Sequence, residues 1–107
     1  MKPDIFQAIA DPTRRAILTL IAIKALTPNA MAEKFDMSRQ AVSKHIKVLN
    51  ECGLIRPEQS GREIHYHFNA HKMQEFDNWL AQFRQSWETQ FNQLDQLLST
   101  IKEQTTK

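Results

Sequence analysis

A chain of 107 residues, 41% of them hydrophobic, fits one small domain with a modest core. It contains no run apolar enough to cross a membrane and no signal-peptide stretch at its amino terminus, so the expected location is the cytoplasm. The single cysteine, Cys52, cannot form an intrachain disulfide, and a net charge of +2 is too small to require a nucleic-acid partner by itself.

Residues from about Lys2 to Ile9 read as a short amphipathic helix, with Ile5, Phe6 and Ile9 on one side. Asp11-Pro12 then restarts the chain. Asp11 suits an N-cap, and Pro12 suits the first helical position, where a missing N–H costs nothing. The second helix runs to about Ile23 and buries Ile17, Leu18 and Ile21. Thr27-Pro28 repeats the device and opens a third helix, with Met31, Ala32 and Phe35 inward. A polar turn follows at Asp36-Met37-Ser38. Ser38 caps a fourth helix that Gly53 ends. Its apolar face is Val42, Ile46 and Leu49; its other face is Arg39, Gln40, Ser43, Lys44 and Lys47.

Leu54-Ile55-Arg56 reads as a strand, Pro57 to Arg62 as a polar loop turning at Gly61, and Glu63 to Asn69 as the partner strand. In that partner, Ile64, Tyr66 and Phe68 alternate with Glu63, His65 and His67. From Ala70 to about Glu103 there is no Pro or Gly, which predicts one long helix, straight or kinked. Met73, Leu80, Trp87, Leu94 and Ile101 recur every seven residues, with Phe76, Phe83 and Leu97 in companion positions and Gln90 breaking that row. At about 1.5 Å per residue such a helix spans roughly 50 Å, more than so small a domain can cover. A second copy is the expected cover.

The elements together spell a mainly α fold with a small β-wing. It is one winged helix-turn-helix domain over residues 1–107, with a recognition helix at 38–53, a wing at 54–69 and a dimerisation helix at 70–103. Charge agrees. Between Ser38 and Arg62, Arg39, Lys44, Lys47, Arg56 and Arg62 face only Glu51 and Glu58, whereas from Ala70 onward four Lys/Arg meet five Asp/Glu. The positive field sits on the reading helix and wing, where phosphates would be met.

With these motifs placed, the chain resembles the ArsR/SmtB family of bacterial winged-helix repressors over nearly its whole length. The family's amino-terminal signature stands here as Ala8-Ile9-Ala10-Asp11-Pro12-Thr13-Arg14-Arg15-Ala16-Ile17-Leu18, and its recognition segment as Ser38 to Ile55. The long last helix, with Asp77-Asn78-Trp79-Leu80, Phe83 and Trp87, is similar to that of a subgroup with no recognised metal site. The resemblance implies a homodimer built from the first and last helices. It implies binding to a near-palindromic operator, usually to repress the regulator's own operon. Many members release DNA when a metal binds, but the sensors' Cys-x-Cys would fall at Thr27 and Asn29, and on the last helix only His71 is available, at its start. No metal and no cofactor is therefore expected, and the inducer, an organic effector among the options, stays open.

The expected DNA-binding residues are Ser38, Arg39, Gln40, Ser43, Lys44, Lys47 and Arg62. Gln pairs with adenine and Arg with guanine through two hydrogen bonds, so Gln40 and Arg39 are the base-reading candidates. Lys47 suits a phosphate, Ser38 a cap that can also reach one, and Arg62 the wing tip. The expected dimer interface comprises Ile5, Phe6, Ile9, Leu80, Phe83, Trp87, Phe91, Leu94 and Ile101. His45 reads as a packing residue and Cys52 as a small buried filler. His65 and His67 share a strand face without a convincing third metal ligand. Trp79 and its aromatic neighbours read as dimer core more readily than as a ligand box. There is no Gly-rich phosphate loop, nucleophile–base spacing or paired carboxylate frame, which argues against an enzyme. The alternative from another class is a protein-interaction adaptor that works through the long helix, and the polar face of the fourth helix argues against it.

Overall fold

The structure is a computed structural model, and it describes residues 2–105. The elements run α1 (Ile5–Ile9), α2 (Pro12–Ile23), α3 (Pro28–Lys34), α4 (Arg39–Glu51), β1 (Ile55–Ser60), β2 (Glu63–Phe68) and α5 (Ala70–Thr105). They divide into two compact units, Met1–Met73 and Gln74–Lys107.

In the first unit each helix begins where its cap places it. The side chains of Asp11, Thr27 and Ser38 accept from the backbone N–H groups of Arg14, Ala30 and Ala41, and so satisfy orphan donors of α2, α3 and α4. Helix α1 starts later than expected, at Ile5 rather than near Lys2, because Asp4 and Gln7 form a reciprocal capping box.

Two Schellman motifs bracket α4. At the end of α3, Asp36 N–H donates to Glu33 O and Met37 N–H to Ala32 O. At the end of α4, Gly53 N–H donates to Asn50 O and Leu54 N–H to Leu49 O, both at 3.1 Å. Each needs a left-handed residue, which Asp36 (φ 50°) and Gly53 (φ 86°) supply.

The core joins Ala8 of α1, Ile17, Leu18 and Ile21 of α2, Met31 of α3 and Val42, Ile46 and Leu49 of α4 to Leu26, Cys52, Leu54 and Ile55. Ala32, Phe35 and Met73 pack against it, half-buried.

The wing is longer than the sequence pattern indicated. Residues 57–60, expected in a loop, continue β1, pairing antiparallel with β2 from Ile55↔Phe68 to Ser60↔Glu63. Only Gly61 and Arg62 remain as the turn, with a positive φ at Gly61 alone, as in a type II′ hairpin. Pro57 is tolerated because β1 is an edge strand. Beyond Ile55 every residue of β1 is exposed, so no apolar alternation could mark it. Leu26 adds a short bridge on the far side of β2, exchanging both backbone hydrogen bonds with Tyr66. Asn69 closes the corner into α5. Its N–H donates to Leu54 O, its Nδ2 to Gly53 O at 2.9 Å, and its Oδ1 accepts from Lys72 N–H as an N-cap would.

In the second unit α5 continues without interruption to Thr105, two residues past the expected end. Trp79 stacks near Phe76 and tilts against Phe83 at a centroid distance of 4.7 Å. Arg84 pairs with Asp77 at 3.0 Å. Trp79, Phe83, Trp87, Phe91, Leu94, Leu97, Leu98 and Ile101 are all 39–63% exposed in the single chain. Their order shows why Gln90 does not end the seam. After Phe83 and Trp87 the stripe steps to Phe91, Leu94, Leu98 and Ile101. Two successive steps of four thus shift it by a stutter.

Candidate nucleic-acid interface

Helix α4 divides cleanly. Val42, Ile46 and Leu49 are buried, while Ser38, Arg39, Gln40, Ser43, Lys44 and Lys47 are all exposed. The cap bond from Ala41 N–H to Ser38 Oγ, 3.1 Å, sets the first turn and so the direction of Arg39 and Gln40. Arg39 Nη1 donates to Asn29 Oδ1, tying the first turn of α4 to that of α3. A guanidinium has five donors, so the tie leaves Arg39 capacity for an outside acceptor. Lys47 Nζ lies 4.0 Å from Glu51 Oε1, a long surface pair of little energetic weight.

The wing tip joins this surface. Arg39 and Arg62 line one groove together with Asn29 and Glu63, of about 190 Å³. A second groove, about 380 Å³, runs beside Arg39, Ser43 and Lys47 to Ile64 and Tyr66 of β2. Arg39, Ser43 and Lys47 of α4 and Arg62 of the wing therefore border these grooves of the first unit, with Glu63 the acidic neighbour at Arg62, whereas Gln40, Ser38 and Lys44 line neither groove.

Behind that face, α4 is fastened to α2 through His45 and Asp11. His45 Nδ1 lies 3.9 Å from Asp11 Oδ2, the oxygen that accepts from Arg14 N–H. The Arg14 N–H, against an opposing desolvation, holds the Asp11 carboxyl below its ordinary range; the charges of Arg14 and His45 act in the same direction. The two arginines of the amino-terminal motif have a role that periodicity did not show. Arg14 Nε and Nη2 donate to Ala8 O and Gln7 O, and Arg15 Nη1 to Ile9 O, satisfying the carbonyls at the end of α1. A run of basic residues just after a short helix was the available signal.

Cys52 is buried, its Sγ donating to Leu49 O at 3.3 Å, and burial pushes its thiol pKa up. That is the state of an inert filler rather than a reactive thiol. On the wing, His67 Nε2 lies 2.9 Å from Glu58 and His65 Nε2 3.6 Å from Glu63, so each imidazole has its own carboxylate. Among the described residues no group of three or more His, Cys, Asp or Glu is placed to hold a metal ion. No helix among them is long and apolar enough to cross a membrane.

A helix-turn-helix domain family matches residues 9–58. The transcriptional repressor SdpR of Bacillus subtilis (strain 168) is 35% identical over 80 residues, covering 75% of this chain and 89% of that protein. A crystal structure of an ArsR family transcriptional regulator superposes with a TM-score of 0.69 at 37% identity, covering 78% of this chain and 87% of that one. The chain belongs to the ArsR family. It is a DNA-binding transcriptional repressor of that family and not an enzyme. An ArsR-like transcriptional regulator from Rhodococcus sp. RHA1 shares the fold over 87% of this chain and 88% of its own, with a TM-score of 0.70 and 29% identity.

Proposed function

We propose that this chain works in the cytoplasm as a homodimer on an inverted-repeat operator, repressing transcription there, its own included. The observation that carries the reading is the division of α4: Val42, Ile46 and Leu49 are buried, and the exposed residues from Ser38 to Lys47 are amide, hydroxyl and cationic, with Glu51 the one exposed acid at the far end. In this proposal α4 lies in the major groove. Gln40 reads adenine, and Arg39, Ser43 and Lys44 contact base edges or nearby phosphates. Lys47 and Ser38 hold phosphates, and Arg62 brings the wing tip to the backbone or minor groove.

The second copy covers the exposed apolar residues of α5, namely Phe83, Trp87, Phe91, Leu94 and Ile101, with half-buried Leu80. The α1 side chains Phe6, exposed, and Ile5 and Ile9, half-buried, are assigned to the dimer interface as well. Release of DNA comes from an organic effector, a protein partner or dose, with no metal required. Footprinting the protein on the promoter of its own gene tests this. Two protected half-sites related by inversion, with centres about 34–36 Å apart or a multiple, are expected. A single asymmetric footprint, or none, overturns it.

A further inference from the structure

We infer that the groove between the amino-terminal segment and α4 is an oxyanion site that takes a phosphate group. The inference rests on the proposed placing of α4 in the major groove. The groove measures about 670 Å³ and is lined by Lys2, before α1, by Arg14 of α2, and by Lys44, Lys47, Val48 and Glu51 of α4. Four of its charged residues are cations and one, Glu51, is an anion.

The charge is partly pre-set. The guanidinium of Arg14 is held at 2.7 Å by Ala8 O and at 2.9 Å by Gln7 O, two uncharged acceptors that fix it in place, while the Asp11 carboxyl also feels its charge. Lys44 and Lys47 stand three residues apart and so share one side of α4. Glu51 reaches Lys47 only at 4.0 Å, with the Lys47 side chain 74% exposed, and offsets that cation weakly. Asp11 accepts from Arg14 N–H, yet it does not line the groove.

Position gives the site its use. Arg39, Ser43 and Lys47 border the wing-side groove, whereas Lys44, Lys47, Val48 and Glu51 border this one, so the two grooves flank the exposed face of α4. The major groove of B-DNA is about 12 Å wide and is walled by a phosphate strand on each side. Arg39 and Arg62 answer one wall, and Lys2, Arg14 and Lys44 answer the other. A DNA backbone phosphate and the phosphate of a small phosphorylated ligand have the same chemistry here.

The two sources separate experimentally. In the first arm, binding of wild type and Lys2→Ala to operator and to random duplex is measured across a salt series. Loss of one backbone phosphate contact per protomer, two per dimer, lowers the log–log salt slope by about 1.8, equally on both duplexes, and Lys2→Arg restores it. In the second arm, pyrophosphate is titrated into the DNA-free protein. Micromolar binding that Lys2→Ala weakens at least tenfold assigns the site to a small phosphorylated ligand. An unchanged salt slope together with no pyrophosphate binding overturns the inference. Gln40→Ala, run alongside, separates the two levels. If it abolishes operator preference while Lys2→Ala does nothing, only the phosphate site fails. If it leaves operator preference intact, the placing of α4 fails instead.

Discussion

Helices α4 and α5 are both amphipathic, but they treat their apolar faces in opposite ways. In α4 the apolar face is buried in the core of its own unit, and what remains in water is polar. In α5 the apolar stripe from Trp79 to Ile101 remains in water in the single chain. A helix that has met its packing requirement internally can offer a polar face to DNA. One that has not must meet the requirement elsewhere, and contiguous apolar surface of this kind marks an interaction site. One chain thus carries a polar helix face whose packing is completed within its own unit and, in the proposed dimer, an apolar helix face that another copy covers.

The largest expected effect falls on α5. Trp87→Ala or Leu94→Ala removes a side chain worth roughly 1.5–3 kcal/mol of burial from each protomer, so a dimer loses on the order of 3–6 kcal/mol. Sedimentation should show the dimer dissociation constant raised about a hundredfold or more, with operator affinity falling alongside. A wild type that sediments as a folded monomer at micromolar concentration would remove the contrast between the helices.

Next comes the end of α4. A Cβ at Gly53 meets only Lys72 side-chain carbons at 3.6 Å, an ordinary contact, so Gly53→Ala is opposed by its φ of 86° rather than by crowding. Holding a residue with a side chain in that conformation costs about 1–2 kcal/mol. Urea unfolding should register that loss, and unchanged stability would mean that the corner is not held as described.

The smallest effect concerns the fastening behind α4. Asp11→Ala removes the α2 cap and the partner of His45. It should lower Tm by roughly 4–8 °C near neutral pH, whereas Asp11→Asn keeps the cap and loses less. Because the folded-state pKa of Asp11 is depressed, its charged contribution is present above the ordinary carboxylate pKa and is lost as pH falls through the lower folded value. Thermal melts of wild type and Asp11→Ala should therefore converge in acid. A gap that holds constant from neutral pH down to pH 2 would assign the residue no electrostatic role.

Local signals were legible and long-range ones were not. Asp11, Thr27 and Ser38 announced three helix starts because a cap acts over three residues, and Gly53 announced the end of α4 for the same reason. The Asp4–Gln7 capping box was equally local and readable, and it sets the later start of α1. By contrast, β1 beyond Ile55 has neither face buried, so Pro57 to Ser60 carried no alternation to reveal a strand. The Leu26–Tyr66 bridge, the Asn69 bond to Gly53 and the arginine contacts to α1 depend on chain segments meeting in space, which no window of sequence displays. The outer face of α4 was legible because Val42, Ile46 and Leu49 left it over. The groove beside Lys2 was not, since it draws on three separate elements.

The central claim, that the exposed face of α4 reads sequence, is tested most directly by comparing operator and random-duplex affinity for wild type, Gln40→Ala and Lys47→Ala at one fixed salt concentration. The expected result is that Gln40→Ala costs on the order of 1–3 kcal/mol on the operator and little on random DNA. Lys47→Ala should weaken both duplexes alike. Equal losses on both duplexes for both variants would contradict the assignment of sequence reading to this face.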